Sequence, residues 1–326
     1  MGEIKMFVSI VIPTYNRAHS ITYTLDSFLK QDYPKEQYEI IVCDNNSTDN
    51  VKDIVLKYVE KYGEDRIKYM FEGKQGSHYA RNSAAKIAKG DILYFTDDDM
   101  LAETDLLKKL IPIFEYDSRI GCATGRVLPK WEAEPPKWIK KYCMNYLLSL
   151  KDLGKRTIIR NYDVGVYSCH EAIRREAFFQ TGGFHPDYLK DVYLGDGETG
   201  LNQDIIKSGW KMAYVGKSVI YHMIPATRMT QKHINKVMSN NGNATSYREY
   251  REKVFSKKDL WLRYKQYSNA YIKEVKIIIK KVLRGKSTLR FILAKACYYK
   301  ARAVYDYHIV NDERFRRMVR KNNWLK

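Results

Sequence analysis

The 326-residue sequence predicts an α/β fold, a mostly parallel sheet flanked by helices, with a basic helical extension at its C-terminal end. Three observations carry that prediction. Apolar, β-rich runs alternate with helical periodicity through the first hundred residues. Three of those runs end directly in polar clusters. The charge is also split: residues 1–230 hold 32 Lys and Arg against 31 Asp and Glu, whereas residues 231–326 hold 25 against 7. Nearly all of the net charge of +19 therefore lies in the last third.

Phe7 to Ile12 is a continuous apolar run stopped by Pro13, as expected for a buried strand. Ile21, Leu25, Phe28 and Leu29 then recur at helical spacing. Tyr38 to Cys43 reads as a second strand. Val51, Ile54, Val55, Tyr58 and Tyr62 form one helical face behind the N-cap candidates of residues 46–49. Ile67 to Phe71 is a third strand, Ala80 to Ala88 a small-residue helix closed by Gly90, and Ile92 to Phe95 a fourth strand. Residues 104–116 read as one helix. Residues 126–163 are less regular, with a helix around 137–148. Val164 to Cys169 reads as a strand, 172–180 and 198–208 as helices, and Ser218 to Tyr221 as a last short strand. From residue 230 the pattern turns helical, basic and rich in tyrosine. Residues 1–230 are thus expected to form an α/β domain, in halves 1–125 and 126–230, with 231–326 as the extension.

Several classes are excluded. The five cysteines form no CxxC pair, which argues against a disulfide framework or a thiolate zinc site. No apolar run approaches the roughly 20 residues of a membrane span, and the N-terminal segment does not read as a signal peptide. A cytoplasmic location is expected.

In an alternating α/β order, ligands bind beyond the carboxyl ends of the strands. Thr14-Tyr15-Asn16-Arg17, Asp44-Asn45-Asn46 and Asp97-Asp98-Asp99 all fall there. Three adjacent carboxylates repel one another unless cations or donors compensate. A divalent cation bridging carboxylate and diphosphate suits such a site; an acidic turn or helix cap is the plain alternative.

Together these pieces resemble the inverting family-two glycosyltransferases with a GT-A fold. The resemblance rests on residues 11–17, Gln31-Asp32-Tyr33-Pro34, residues 39–49, Gly76 with Ala80-Arg81-Asn82, and residues 90–99. It continues through residues 174–178, Gly182-Gly183-Phe184, Gly209-Trp210, and His222-Met223-Ile224-Pro225 with Arg228-Met229-Thr230. The ordered set spans residues 7 to about 245. The resemblance implies a nucleotide-sugar donor, here a UDP-sugar, a divalent Mn²⁺ or Mg²⁺, and an acceptor that is a saccharide or lipid-linked saccharide. Pro13, Tyr15, Asn16, Arg17, Asp44, Asn46, Arg81, Asp97 and Asp98 would then bind the nucleotide, Asp44 taking a base N–H and Arg81 the diphosphate. Asp99 and His222 would hold the metal. Trp131, Trp138 and Arg228 are candidates for the acceptor side. The segment Gly195-Asp196-Gly197-Glu198-Thr199-Gly200-Leu201 places Glu198 where the family carries its general base, with Asp196 the runner-up. Cys169-His170-Glu171 departs from the family's usual pattern, leaving a sugar contact there open.

Two other readings, one enzymatic and one not, are weaker. A nucleotidyltransferase would place a glycine-rich basic loop after the first strand, where this chain has Pro13 to Arg17. An inactive nucleotide-binding module conflicts with intact Asp97, Asp99 and Glu198. In the extension, Ile272, Val275, Ile279 and Val282 share a helical face beside Lys273, Lys276, Lys280 and Lys281. Residues 257–305 are therefore expected to meet an anionic membrane surface. A packed subdomain with a solvated basic face is the alternative, and nucleic-acid binding has no motif behind it.

Overall fold

The computed structural model describes residues 6–142, 145–186, 188–189, 192–193, 195–253, 255–284 and 289–326. Strand β1 (Val8–Thr14), helix α1 (Ile21–Leu29), β2 (Tyr38–Asp44), α2 (Val51–Tyr62), β3 (Ile67–Phe71), α3 (Ser77–Ile87) and β4 (Ile92–Thr96) follow the expected order. β1 pairs in parallel with both β2 and β4, and β2 with β3. β1, β2 and β4 are buried along their whole length, which is why their sequences read as mainly apolar runs, the polar Ser9 and Glu39 being buried as a hydrogen-bonded pair.

The second half differs from expectation. A short strand β5 (Met100–Ala102) precedes two helices, α4 (Leu106–Leu110) and α5 (Pro112–Tyr116), in place of one. Pro112 lacks the N–H that a continuous helix would need and opens α5 at its first position. The region expected to be irregular begins with the long strand β6 (Ile120–Trp131), so the division at 125/126 falls inside a strand. Helix α6 (Lys137–Tyr142) is short, followed by a 3-10 turn at Asn145–Leu148 and β7 (Thr157–Arg160). Residues 164–169 are not a strand. Strand β8 lies at His170–Arg174, and α7 (Arg175–Thr181) starts later than expected. The two-residue strands β9 (Tyr188–Leu189) and β10 (Val192–Tyr193) pair with each other. α8 (Glu198–Lys207) leads to β11 (Lys211–Ile224), a 14-residue strand where a short one was expected.

Apart from the β9–β10 pair, which is a sheet of its own, the strands form one mixed sheet in the order β3-β2-β1-β4-β8-β6-β11-β5, with β7 on β11. β8 runs antiparallel between β4 and β6. β11 is parallel to β6 and antiparallel to β5 and β7.

The last third is helical: α9 (Gln231–Glu252), α10 (Lys257–Leu283), α11 (Leu289–Asn311) and α12 (Glu313–Val319). Thr230 caps α9, its side chain accepting from the His233 N–H. Ile234, Met238 and Ala294 join the apolar core beneath one face of the sheet. A separate core of Tyr247, Tyr250, Leu260, Tyr305, Ile309, Phe315 and Val319 closes the helices on themselves. Buried cations are matched: Arg263 pairs with Asp306 at 3.1 Å and with Glu249 at 3.2 Å, and Arg302 also meets Glu249. The far C-terminal residues return to the α/β half, where the Trp324 backbone N–H donates to the Gly182 carbonyl at 2.9 Å. The extension is thus packed on the core along α9, α11 and this terminal peptide.

Of the five cysteines, Cys43, Cys122 and Cys169 are free and buried and Cys297 is free and half-buried. Cys143 lies outside the described residues.

Candidate active site

The carboxyl ends of β1, β2 and β4 open on one cavity of about 700 Å³. Pro13, Thr14, Tyr15 and Arg17 line it after β1, Asn45 after β2, and Asp97, Asp98 and Asp99 after β4. The N-terminus of α3 adds Ser77, His78 and Arg81, and that of α8 adds Glu198. Two helix N-termini aimed at one space favour an anion there.

Each carboxylate of the triplet has a different environment. Asp97 is the most exposed and meets the buried Arg81 guanidinium, which also donates to Ser77 Oγ at 3.2 Å. Asp98 accepts from Thr14 Oγ1 at 2.7 Å and lies 3.9 Å from Arg17. Burial, reinforced by the charge of Asp99, pushes its carboxyl up to about 7. Asp99 is equally buried, and burial opposes its ionisation. His222, Arg228 and Arg17 outweigh that penalty and hold it well below the usual carboxylate range.

The surroundings of Asp99 fit a divalent cation. Asp99 Oδ1 is buried without a hydrogen-bond partner and lies 3.7 Å from His222 Nε2. His222 Nδ1 donates to the Leu148 carbonyl at 2.9 Å, which fixes the ring so that Nε2 faces Asp99. The Arg228 guanidinium spans the pair, reaching Asp99 Oδ2 at 2.8 Å and contacting His222 Nε2. Among the described residues no group of three or more His, Cys, Asp or Glu could hold a metal unaided. The remaining ligands would come from diphosphate and water, as Mg²⁺ sites commonly arrange.

Several expected residues stand behind the cavity wall. Asp44 accepts from the Ser47 N–H and from the Tyr69 hydroxyl, both at 2.9 Å, and does not line the cavity. Asn16 and Asn46 both have positive φ, 51° and 66°. The Asn16 side chain accepts from the Thr48 N–H at 2.8 Å, tying the loops after β1 and β2 together. Trp131 packs against the core, and Trp138 packs there with the Arg290 guanidinium over its ring; neither lines the cavity. Asp196 is turned away into a second, smaller cavity of about 80 Å³. In the unusual triplet, His170 is fully buried against Tyr94 and Ser218, and Glu171 is fully buried as well.

Other residues gain a place that no role had been assigned. Asn45 accepts from the Gly76 N–H at 2.6 Å and donates to the Glu72 and Lys74 carbonyls, pinning the loop before α3. His78 Nε2 lies 3.7 Å from Glu198. Ser168 lines the cavity from the loop before β8, and Lys236 from α9. Asn45 lay inside a recognised polar cluster; Lys236 stood in a helix with no distinguishing pattern.

A mixed sheet whose parallel strands open on one acidic, arginine-rimmed cavity is the layout of a GT-A domain. Residues 9–183, more than half the chain, match the family model for glycosyl transferase family 2, and the chain belongs to that family. Among solved structures, the fold is similar to that of a mannosyltransferase from Pyrobaculum calidifontis in complex with GDP-Man and Mn²⁺, with a TM-score of 0.62 at 18% identity over 93% of this chain and 87% of that one. Among curated proteins, it is 37% identical over 109 residues to the dolichyl N-acetyl-alpha-D-glucosaminyl phosphate 3-beta-D-2,3-diacetamido-2,3-dideoxy-beta-D-glucuronosyltransferase of Methanococcus voltae, covering 33% of this chain and 34% of that protein. It is 27% identical over 187 residues to the glucosyl-dolichyl phosphate glucuronosyltransferase of Haloferax volcanii, covering 55% and 56%. The matched segments span less than two thirds of these relatives' lengths.

Proposed function

We propose that this chain is a metal-dependent, inverting glycosyltransferase that moves a sugar from a UDP-sugar donor to an acceptor hydroxyl, in the synthesis of cell-surface polysaccharide or glycoconjugate. One observation carries the reading: a single cavity brings together the acidic triplet, the guanidinia of Arg17, Arg81 and Arg228, and Glu198. Inverting transfer needs a base on the acceptor hydroxyl and charge compensation at the leaving diphosphate. Glu198 supplies the first, since it lines the cavity while Asp196 is buried elsewhere. Arg81 and Arg17 supply fork-shaped donors for the second. Asp99 and His222 would hold the cation, which when bound neutralises the diphosphate. The dolichyl-linked names of two relatives support a lipid-linked saccharide acceptor. The test is Glu198→Gln, assayed for UDP release and for UDP binding. Transfer should fall by about two to four orders of magnitude, the usual scale for a general base, with UDP binding retained. Normal transfer by that variant would refute the assignment.

We also infer that the enzyme sits peripherally on the inner face of the cell membrane. Trp261, Ile272, Ile279 and Leu283 are all exposed and fall on one side of α10. Exposed Lys265, Lys273, Lys276 and Lys280 flank them. An unburied apolar stripe edged by lysines suits the boundary of an anionic bilayer. Among the described residues no helix is long and apolar enough to cross a membrane. The full chain should co-sediment with phosphatidylserine vesicles at low salt. A variant with Ile272→Glu and Ile279→Glu should not, and equal sedimentation of both would refute the inference.

A further inference from the structure

Glu198 stands at the end of a segment with little packing of its own. Gly195 and Gly197 have no side chains to anchor it, and Gly197 turns the chain at φ 59°. What immobilises the segment comes from elsewhere. Asp196 is almost fully buried, its Oδ1 3.2 Å from His185 Nδ1, and its carbonyl accepts from the Thr199 N–H at 3.2 Å. His185 forms an antiparallel bridge with Gly197. A side chain at Gly200 would collide with both Asp196 and His185, so these groups are closed tightly on the first turn of α8.

The far side of this knot belongs to the helical extension. The Tyr247 hydroxyl of α9 is 3.2 Å from His185 Nδ1, and the two rings meet edge to face at 5.8 Å. Arg248 Nε lies 3.9 Å from Asp196 Oδ2. Asp204, on α8 itself, holds His185 Nε2 at 3.3 Å. Arg251, one turn on from Tyr247, donates to the carbonyls of Val319 and Lys321, so the knot is anchored in turn to the C-terminal peptide. Burial opposes a charge on His185, but Asp196 and Asp204 outweigh it and raise its affinity for a proton, against a smaller opposing effect from Arg251.

We propose that Asp196, His185, Tyr247 and Arg248 form a positioning network through which α9 fixes the backbone of Glu198. Asp196 is then a positioning residue and not the base, and the extension contributes to the geometry of transfer. The inference rests on the reading of Glu198 as general base. Misplacement of a reacting group by about 1 Å can cost on the order of 100-fold in rate.

The test uses the full chain with Asp196→Asn, Tyr247→Phe, Arg248→Ala and Arg248→Lys, alongside Glu198→Gln. Turnover is followed as UDP release from the UDP-sugar that the wild type accepts, and UDP affinity by calorimetry with Mn²⁺. The network predicts that kcat falls about 10- to 100-fold in Asp196→Asn and Arg248→Ala. UDP affinity should stay within about twofold, and Arg248→Lys should recover part of kcat. Amide exchange over residues 196–201 should quicken in both impaired variants. Tyr247→Phe, which removes only a hydroxyl, should show the same pattern more mildly and carries the test if Asp196→Asn does not fold. Normal kcat in Arg248→Ala and Tyr247→Phe, with Glu198→Gln inactive, overturns the network alone. Loss of UDP affinity in parallel with kcat also overturns it. Near-normal turnover by Glu198→Gln overturns the reading of the base, and the network with it.

Discussion

Replacing His170 by glutamine should flatten the acid limb of the stability curve. The imidazole is fully buried, with Nδ1 2.7 Å from the Tyr94 hydroxyl and Nε2 3.4 Å from Ser218 Oγ. Burial lowers its pKa to about 3, against roughly 6.5 in an unfolded chain. Between these values the unfolded chain holds a proton that the folded chain refuses. Acid therefore favours unfolding: the contribution is complete above about pH 6.5 and is lost as pH falls toward 3. Each unit in that window is worth about 1.4 kcal/mol, so going from pH 8 to pH 5 costs about 2 kcal/mol. Asp98 and Glu171 have raised pKa values and act in the opposite sense, but they are common to both proteins and cancel in the difference. Urea midpoints of wild type and variant at pH 8, 6 and 5 make the measurement. The wild type should start more stable, and its lead should shrink by about 2 kcal/mol at pH 5. A lead that is constant with pH would refute the reasoning, because it would mean His170 takes up its proton in the folded state.

The remaining predictions concern the cation and the glycines. Calorimetry should show Mn²⁺ strengthening UDP binding in the wild type but not in Asp99→Asn, which removes the charge and replaces one of the two carboxylate oxygens beside His222 and Arg228 with an amide NH₂. Gly183→Ala should destabilise by about 2–3 kcal/mol, because its φ is 79° and a Cβ would lie 2.7 Å from Asn82 Oδ1 and 2.9 Å from Leu325. Gly209→Ala, with φ 89° but nothing within 4 Å, should cost only about 1 kcal/mol, a difference that thermal melts can resolve.

The first half of the sheet was legible because β1, β2 and β4 are buried on both faces and α1 and α2 show a clean apolar stripe. β6 was not, for a physical reason. A Cβ at Gly121 would lie 2.7 Å from the Trp210 side chain, and one at Gly125 would strike the Ser218 carbonyl. Close approach of β11 thus demands glycines that break the apolar run. β11 itself contains Gly216 and a register shift between Tyr214 and Val219, which hid all of it but Ser218 to Tyr221. In the site, the acidic strand end and Arg81 were readable from placement and motif. Lys236 and the His185 knot were not, because they depend on which face α9 presents to residues far away in the chain.

The family match stops at residue 183, yet β11 begins at Lys211. A fragment ending there would leave β5 without its partner, and β6 tied into the sheet by only two pairs to β8, at Cys122 and Ala123. During synthesis β1 to β4 can pair as they emerge. Closure of the other half waits until β11, Lys211–Ile224, has left the ribosome. For that interval β6 presents an open edge, the kind of surface that templates pairing with other chains. The stretch by which the family is known is therefore smaller than the unit that folds, and expression of the catalytic half should succeed or fail on whether β11 is included.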